Sequence, residues 1–248
     1  MMLVQSGEHR TELLDAAAAG QLDVQLADGA KLDLLLLQDA GSAALTINAA
    51  VGANAALKIV AVCLPDASES AIKNEFHVDV NGVEADVLLA GVVIASGNQK
   101  VSNTTHVCHH GEHTHSNQLF KYVVTDQAAC EFNGTIVVDE QARFTEAFQT
   151  NRNLVESNRA QMHAEPALEI YCDEVQCSHG AATGQLDEQA LFYMRTRGIP
   201  ESEARRLLME AFLADVIAKV DFSEAMQQRV QEVVSARFAT LSVSSANN

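Results

Sequence analysis

The sequence predicts a mainly β chain, a long body of short strands closed by a small α-helical region at the C-terminal end. Three observations carry this. From about residue 21 to 184, apolar and polar residues alternate in runs of four to six, the period of strands with one buried face. Small or turn-forming pairs introduce those runs. After Gly184 the period changes to about 3.6, the helical value. The absence of Trp and a 5% share of aromatic residues suit a narrow, repetitive interior filled by Ala, Val and Leu.

Taken in order, residues 1–20 read as a leader, with Glu12 to Ala19 helical before Gly20. The β body occupies 21–184. Gly29-Ala30 precedes Leu32-Asp33-Leu34, Gly52-Ala53 precedes Leu57-Lys58-Ile59, and Gly82-Val83 precedes Asp86-Val87-Leu88. Gln127-Ala128 precedes Glu131-Phe132 and Thr135 to Val138, and Gln141-Ala142 precedes Arg143-Phe144-Thr145. The intervals are uneven, so no strict repeat exists. They favour the coils of a parallel β-solenoid, in which short strands stack on the coil below. An antiparallel sandwich competes, because Asp28-Gly29 and Asn81-Gly82 are hairpin-type turns.

The helical region is assigned to 185–241. Asp187 is the expected N-cap of a helix from Glu188 to Arg197, and Gly198 its left-handed stop. Pro200 opens a second helix, with Ala204, Leu207, Leu208, Ala211, Phe212, Val216 and Ile217 along one face. Ser223 caps a third, from Glu224 to about Thr240, and residues 242–248 form a polar, disordered tail.

Charge and motifs exclude several functions. Thirty-three acidic against 16 basic residues give a net charge of −17, which repels phosphate backbones and argues against nucleic acid as a partner. The longest apolar runs, Leu34 to Leu37 and Gly91 to Ala95, fall far short of the roughly 20 residues of a spanning helix. No secretory start is visible, so a cytoplasmic location is expected and the two sequons at Asn103 and Asn133 are read as chance. Five cysteines, an odd number, favour free or metal-binding thiols over a disulfide framework. Neither a nucleotide-binding loop of the GxxxxGK[ST] type nor a GxSxG elbow occurs. Carboxylate pairs such as Asp139-Glu140 and Asp173-Glu174 keep a polysaccharide lyase formally open.

Two clusters could carry chemistry. Residues 106–115 hold five of the nine histidines together with Cys108. Imidazole and thiolate suit zinc, copper or iron, and Cys108 and His113 are the candidate ligands here. Extended backbone over 106–110 would put His106, Cys108 and His110 on one face, while no HExxH or CxxC pattern defines a standard zinc site. The second cluster runs from Glu169 to Gly180. In a strand Cys177 and His179 point one way and Cys172 the other, so Cys177 and His179 can converge on one metal. A buried cysteine beside a hydrogen-bonded histidine is the ordinary alternative.

The stretch Pro166 to Glu188, with Cys177-Ser178-His179-Gly180 at its centre, resembles the SufB/SufD family of iron–sulfur cluster assembly proteins, on its SufD side. The similarity continues through Leu191 to Ile199 and Glu210-Ala211-Phe212. Upstream it includes Gln118 to Lys121, Phe132-Asn133-Gly134 and Gln149 to Leu154. The resemblance implies a right-handed parallel β-helix and a scaffold, not an enzyme. It also implies a SufB paralogue bound through the β-helix and a SufC-type ABC ATPase bound through the C-terminal helices. Leu191, Tyr193, Arg195, Arg197, Gly198 and Phe212 are the residues expected at the ATPase surface. His179, with Cys177 beside it, would meet a transient iron–sulfur cluster shared with the SufB partner; a flavin rests on family resemblance only. Relative to longer family members the sequence has little room for an N-terminal helical region, and a structural β-solenoid homodimer, or a metal-binding protein without a role in cluster assembly, is the alternative reading.

Overall fold

In the computed structural model, which describes residues 1–15 and 20–241, two parallel sheets of seven strands each face one another. One sheet, here sheet A, has the order β1 (Met2–Val4), β3 (Gly20–Leu26), β5 (Ala43–Val51), β7 (Ala71–Val80), β9 (Lys100–His109), β11 (Ala129–Val138), β13 (Gln161–Ile170). Sheet B stacks β2 (His9–Asp15), β4 (Lys31–Gln38), β6 (Ala56–Cys63), β8 (Asp86–Ala95), β10 (His115–Val124), β12 (Glu146–Val155) and β14 (Gln176–Gly184). Odd strands pair only with odd and even with even, so each coil gives one strand to each sheet. This is the parallel β-solenoid, and the sandwich reading falls. The strands lengthen from seven residues in β2 and β3 to ten in β8 through β13, which widens the coils toward the C-terminal end.

The expected helix over Glu12–Ala19 is corrected. Glu12 to Asp15 lie in β2, where alternate residues face the interior in register with β4. The leader reading therefore loses β1 and β2 to the solenoid, while residues 16–19 and the tail 242–248 lie outside the described residues.

One corner repeats without a repeating sequence. Gly29, Asn54, Glu84, His113 and Phe144 all have positive φ. The N–H of each donates to the carbonyl one coil onward, at Ala53, Val83, Glu112, Arg143 and Glu174 respectively. Backbone position, not side-chain type, defines this ladder. It also corrects the strand expected at Arg143-Phe144-Thr145, which is the corner itself; β12 starts at Glu146. Inside, apolar ladders are interrupted by a buried amide chain. Gln38 and Asn74 exchange hydrogen bonds at 2.9 and 2.8 Å, Asn74 donates to Asn103 at 2.9 Å, and Asn103 to the Tyr122 hydroxyl at 2.8 Å. Gly91 makes room for the Phe120 ring one strand away: a Cβ there would meet its Cδ1 at 2.4 Å.

The helices α1 (Glu188–Thr196), α2 (Glu201–Ile217) and α3 (Glu224–Thr240) begin where the sequence places them. Asp187 accepts from the Gln189 N–H, Ser223 from the Met226 N–H, and Gly198 has φ +85°. They cover the outer face of sheet B, where Leu35, Leu37, Val60, Val62, Val92 and Ile94 pack with Leu191, Met209, Leu213, Val216 and Val234. Strands buried on both faces read as continuous apolar runs, which is the reason for Leu34–Leu37 and Gly91–Ala95.

Candidate functional site

The sequence candidates fall into two separate places. The first is the terminal coil. β13 ends sheet A and β14 ends sheet B, so each pairs on one side only among the described residues. In the β12–β14 register Cys177 lies beside Ala147, His179 beside Gln149, and Thr183 beside Asn153. Ala147, Gln149 and Asn153 point into the solenoid and are buried. His179 therefore takes an inward-facing register position. It is exposed, and among the described residues no further coil lies above it.

Cys177 is half-buried beside the apolar group of Ile136, Val138, Ala142 and Ala147, and burial raises its thiol pKa. Cys172 belongs to that same group. Sequence parity placed it facing away from Cys177. The correction has a local cause: residues 171–175 form a corner, and β14 starts only at Gln176, so strand alternation does not extend back to Cys172. Beneath His179 the interior is polar. Thr105 donates to the Gln118 Oε1 at 2.6 Å, and Gln149 donates to the same oxygen at 3.2 Å. The Gln118 Nε2, Gln149 Oε1 and Asn153 Oδ1 are buried without a protein partner. A shallow groove lined by Gln149, Asn151, Arg152, Ser178, His179 and Gly180 opens over them.

The second place is the outer face of sheet A. Cys108 faces outward from β9, its Sγ 3.3 Å from Nδ1 of His106. Cys108, Asp79 of β7 and His110 hold ligand atoms within 4.8 Å of one another. His113 is elsewhere: it occupies the left-handed corner and stacks on Phe144 with ring centroids 4.7 Å apart. His109, the inward-facing neighbour, bonds Thr114 and Ser116 hydroxyls at 2.8 Å each, and burial pushes its pKa down to about 4. It is a neutral core histidine.

The residues expected at the ATPase surface also divide. Leu191 is only 2% exposed and packs under the helices, so the expectation of a docking residue there is corrected: it faces sheet B. Tyr193 is 59% exposed, with Arg197 over its ring at 5.2 Å, and Arg195 lies 3.4 Å from Glu201. Gly198 is exposed at the helix stop. Phe212 is half-buried, its carbonyl and ring both engaged by Lys121 of β10.

Residues 4–212 match the family model described as SUF system FeS cluster assembly, SufBD core domain. This chain belongs to the SufB/SufD family. Among curated SufB/SufD relatives, an iron–sulfur cluster assembly SufBD family protein of Synechocystis is 36% identical over 59% of this chain and 32% of its own length. Iron–sulfur cluster assembly protein SufD of Escherichia coli is 31% identical over 64% of this chain and 37% of its own length. SufD of Bacillus subtilis is 34% identical over 57% and 32% respectively. The chain thus spans about a third of the length of these relatives. The SufBD core match runs from β1 into α2, taking in both candidate places.

Sequence reasoning missed three features of this SufB/SufD core. Phe192 is 68% exposed beside Tyr193, and a helical wheel through Leu191 and Met194 would have turned it outward. Asp79 and Asp139 join the Cys108 cluster from neighbouring strands and corners, and no local signal marks them.

Proposed function

We propose that this protein is a scaffold subunit of SufD type in iron–sulfur cluster assembly, working in the cytoplasm with a SufB-like paralogue and a SufC-like ABC ATPase. The observation that carries this reading is the Cys177–His179 pair on the open strand β14 of a SufBD core. An unpaired strand edge offers a row of backbone donors and acceptors that a paralogue's terminal coil can complete. His179 then lies at the seam, exposed and over a polar interior. Imidazole and thiolate both bind iron, so the nascent cluster, carried as cargo, would be held partly by His179 with Cys177 in reserve. The helices are tied to the solenoid by ion pairs of Lys58 with Asp221, Lys121 with Asp215 and Arg205 with Glu156. Closure of ATPase subunits on the face bearing Phe192 and Tyr193 would thereby pull on β6, β10 and the end of β12, and open the seam.

The test is an anaerobic pull-down of the tagged chain from its native cells, followed by iron and sulfide assays of the complex. Recovery of a paralogue and an ABC ATPase, with iron lost in His179→Ala, is expected. Recovery of a homodimer alone, or unchanged iron and cluster transfer in His179→Ala, would overturn the reading in favour of a structural solenoid.

A further inference from the structure

The outer face of sheet A carries a second arrangement that the scaffold reading does not use. Parallel register aligns Asp79 of β7 with Cys108 of β9, and His110 follows at the corner just past β9. The Asp79 Oδ1 is 3.6 Å from the His110 Nε2. The other ring nitrogen, Nδ1, donates to the Asp139 Oδ2 at 2.6 Å. Asp139 can only accept, so it holds the ring through Nδ1 and leaves Nε2 as the nitrogen on the side of Asp79. A carboxylate behind a histidine in this way is the usual outer support of a metal-bound imidazole.

We infer that Asp79, Cys108 and His110 form a mononuclear site for a divalent transition ion, supported by Asp139 and independent of the terminal coil. One sulfur, one nitrogen and one oxygen donor select borderline ions such as Zn²⁺, Fe²⁺ or Co²⁺ over Mg²⁺ and Ca²⁺. Their atoms lie within 4.8 Å, so a side-chain adjustment of about an ångström brings them to bonding range. Three protein ligands leave a fourth position for water, the pattern of an exchangeable site. The ion replaces the proton on the Cys108 sulfur, which passes to solvent, with His106 Nδ1 beside it at 3.3 Å. In the metal-free chain that thiol is held up to about 11, by burial first and then by Asp79, Asp139 and Glu169. The same three carboxylates make the position attractive to a cation. The cluster is on β7 and β9, while His179 is on β14 of the opposite sheet, so the two sites can be tested apart.

The experiment is titration of the chelator-treated full chain with Co²⁺, followed by optical spectroscopy, then competition with Zn²⁺. One equivalent should bind, giving a sulfur-to-cobalt charge-transfer band and the visible bands of a low-coordinate ion, both bleached by Zn²⁺. Cys108→Ser should abolish the sulfur band, and Asp139→Asn, which removes no ligand, should weaken binding by about 10- to 100-fold. Cys177→Ser and His179→Ala should leave the spectrum unchanged. A sulfur band that survives Cys108→Ser but vanishes in Cys177→Ser would overturn the site, as would no binding by a wild-type chain with native circular dichroism. All four positions are at least partly exposed, and Asp79→Asn gives a second, conservative check on folding grounds.

Discussion

Arg205 of α2 donates through Nη1 to the Glu156 Oε2 at 2.9 Å, with the two side chains 8% and 5% exposed. The other Glu156 oxygen accepts from the Leu186 N–H at 2.7 Å. One carboxylate at the end of β12 therefore holds both the entry to the helical region and its second helix. Arg205 also reaches Glu201 at 3.3 Å and Glu188 at 3.8 Å, whereas among the described residues Glu156 has only the Leu186 N–H besides it. Arg205→Ala, which strands a buried carboxylate, should therefore cost about 3–5 kcal/mol, Glu156→Ala less, and the double variant less than the sum. Urea denaturation through a double-mutant cycle measures it; additive losses would show that the pair does not couple the helices to the solenoid.

Alkaline pH should unfold the protein through its interior. Burial raises Cys63 and Cys130 from 9.0 to about 12, and raises Tyr122 well above its ordinary value. In the unfolded chain the thiols lose protons near 9, while in the fold they keep them. The stabilisation is complete below pH 9 and is lost as pH rises toward 12, on the order of a few kcal/mol per thiol. Cys63→Ala with Cys130→Ala should flatten the decline between pH 9 and 11. An equally steep decline in that variant would remove the thiols as its cause.

Thiol reagents should separate the cysteines by burial. Cys108 and Cys177 are half-buried, whereas Cys63 and Cys130 are enclosed. The raised thiol pKa values of the first two keep the thiolate share small, so at pH 8 these should be alkylated in the native state more slowly than a free thiol, and the last two only at the rate of unfolding. Peptide mapping after timed quenching reads the order.

Gly91→Val should be among the most damaging single changes. The added carbons must displace the Phe120 ring, itself buried and packed on Phe132 with centroids 4.9 Å apart. A loss of about 3 kcal/mol or more is expected in thermal melts. Gly91→Val with Phe120→Leu should recover part of it.

His113→Gly should change stability by no more than about 1 kcal/mol. The variant gains freedom at a positive-φ corner and loses the stack on Phe144, effects of similar size and opposite sign. Cobalt binding should be untouched. A collapse of either would return His113 to the metal site.

His179→Ala should leave the melting temperature nearly unchanged, since the side chain is exposed on an edge strand. Loss of iron in the assembled complex without loss of fold is the expected signature, and equal loss of both would make the residue structural.

Features that depend on neighbours along the chain are legible in the residues alone. Strand alternation, the three helices, and the caps at Asp187 and Ser223 rest on hydrogen bonds and side-chain directions spanning a few residues. Strand alternation also puts His106 and Cys108 on one face. The rest came from contacts between coils and helices far apart in sequence. Cys172 turned toward Cys177 because a corner interrupts the strand, and Glu12 to Asp15 became a strand because β4 supplies a partner. The runs Leu34–Leu37 and Gly91–Ala95 became intelligible once helices covered sheet B. Asp79 reached Cys108, and Asp139 reached His110, through parallel stacking of coils. Register between coils is a long-range property set by corner geometry and by what fills the interior, and it leaves no periodic mark on the residues it brings together.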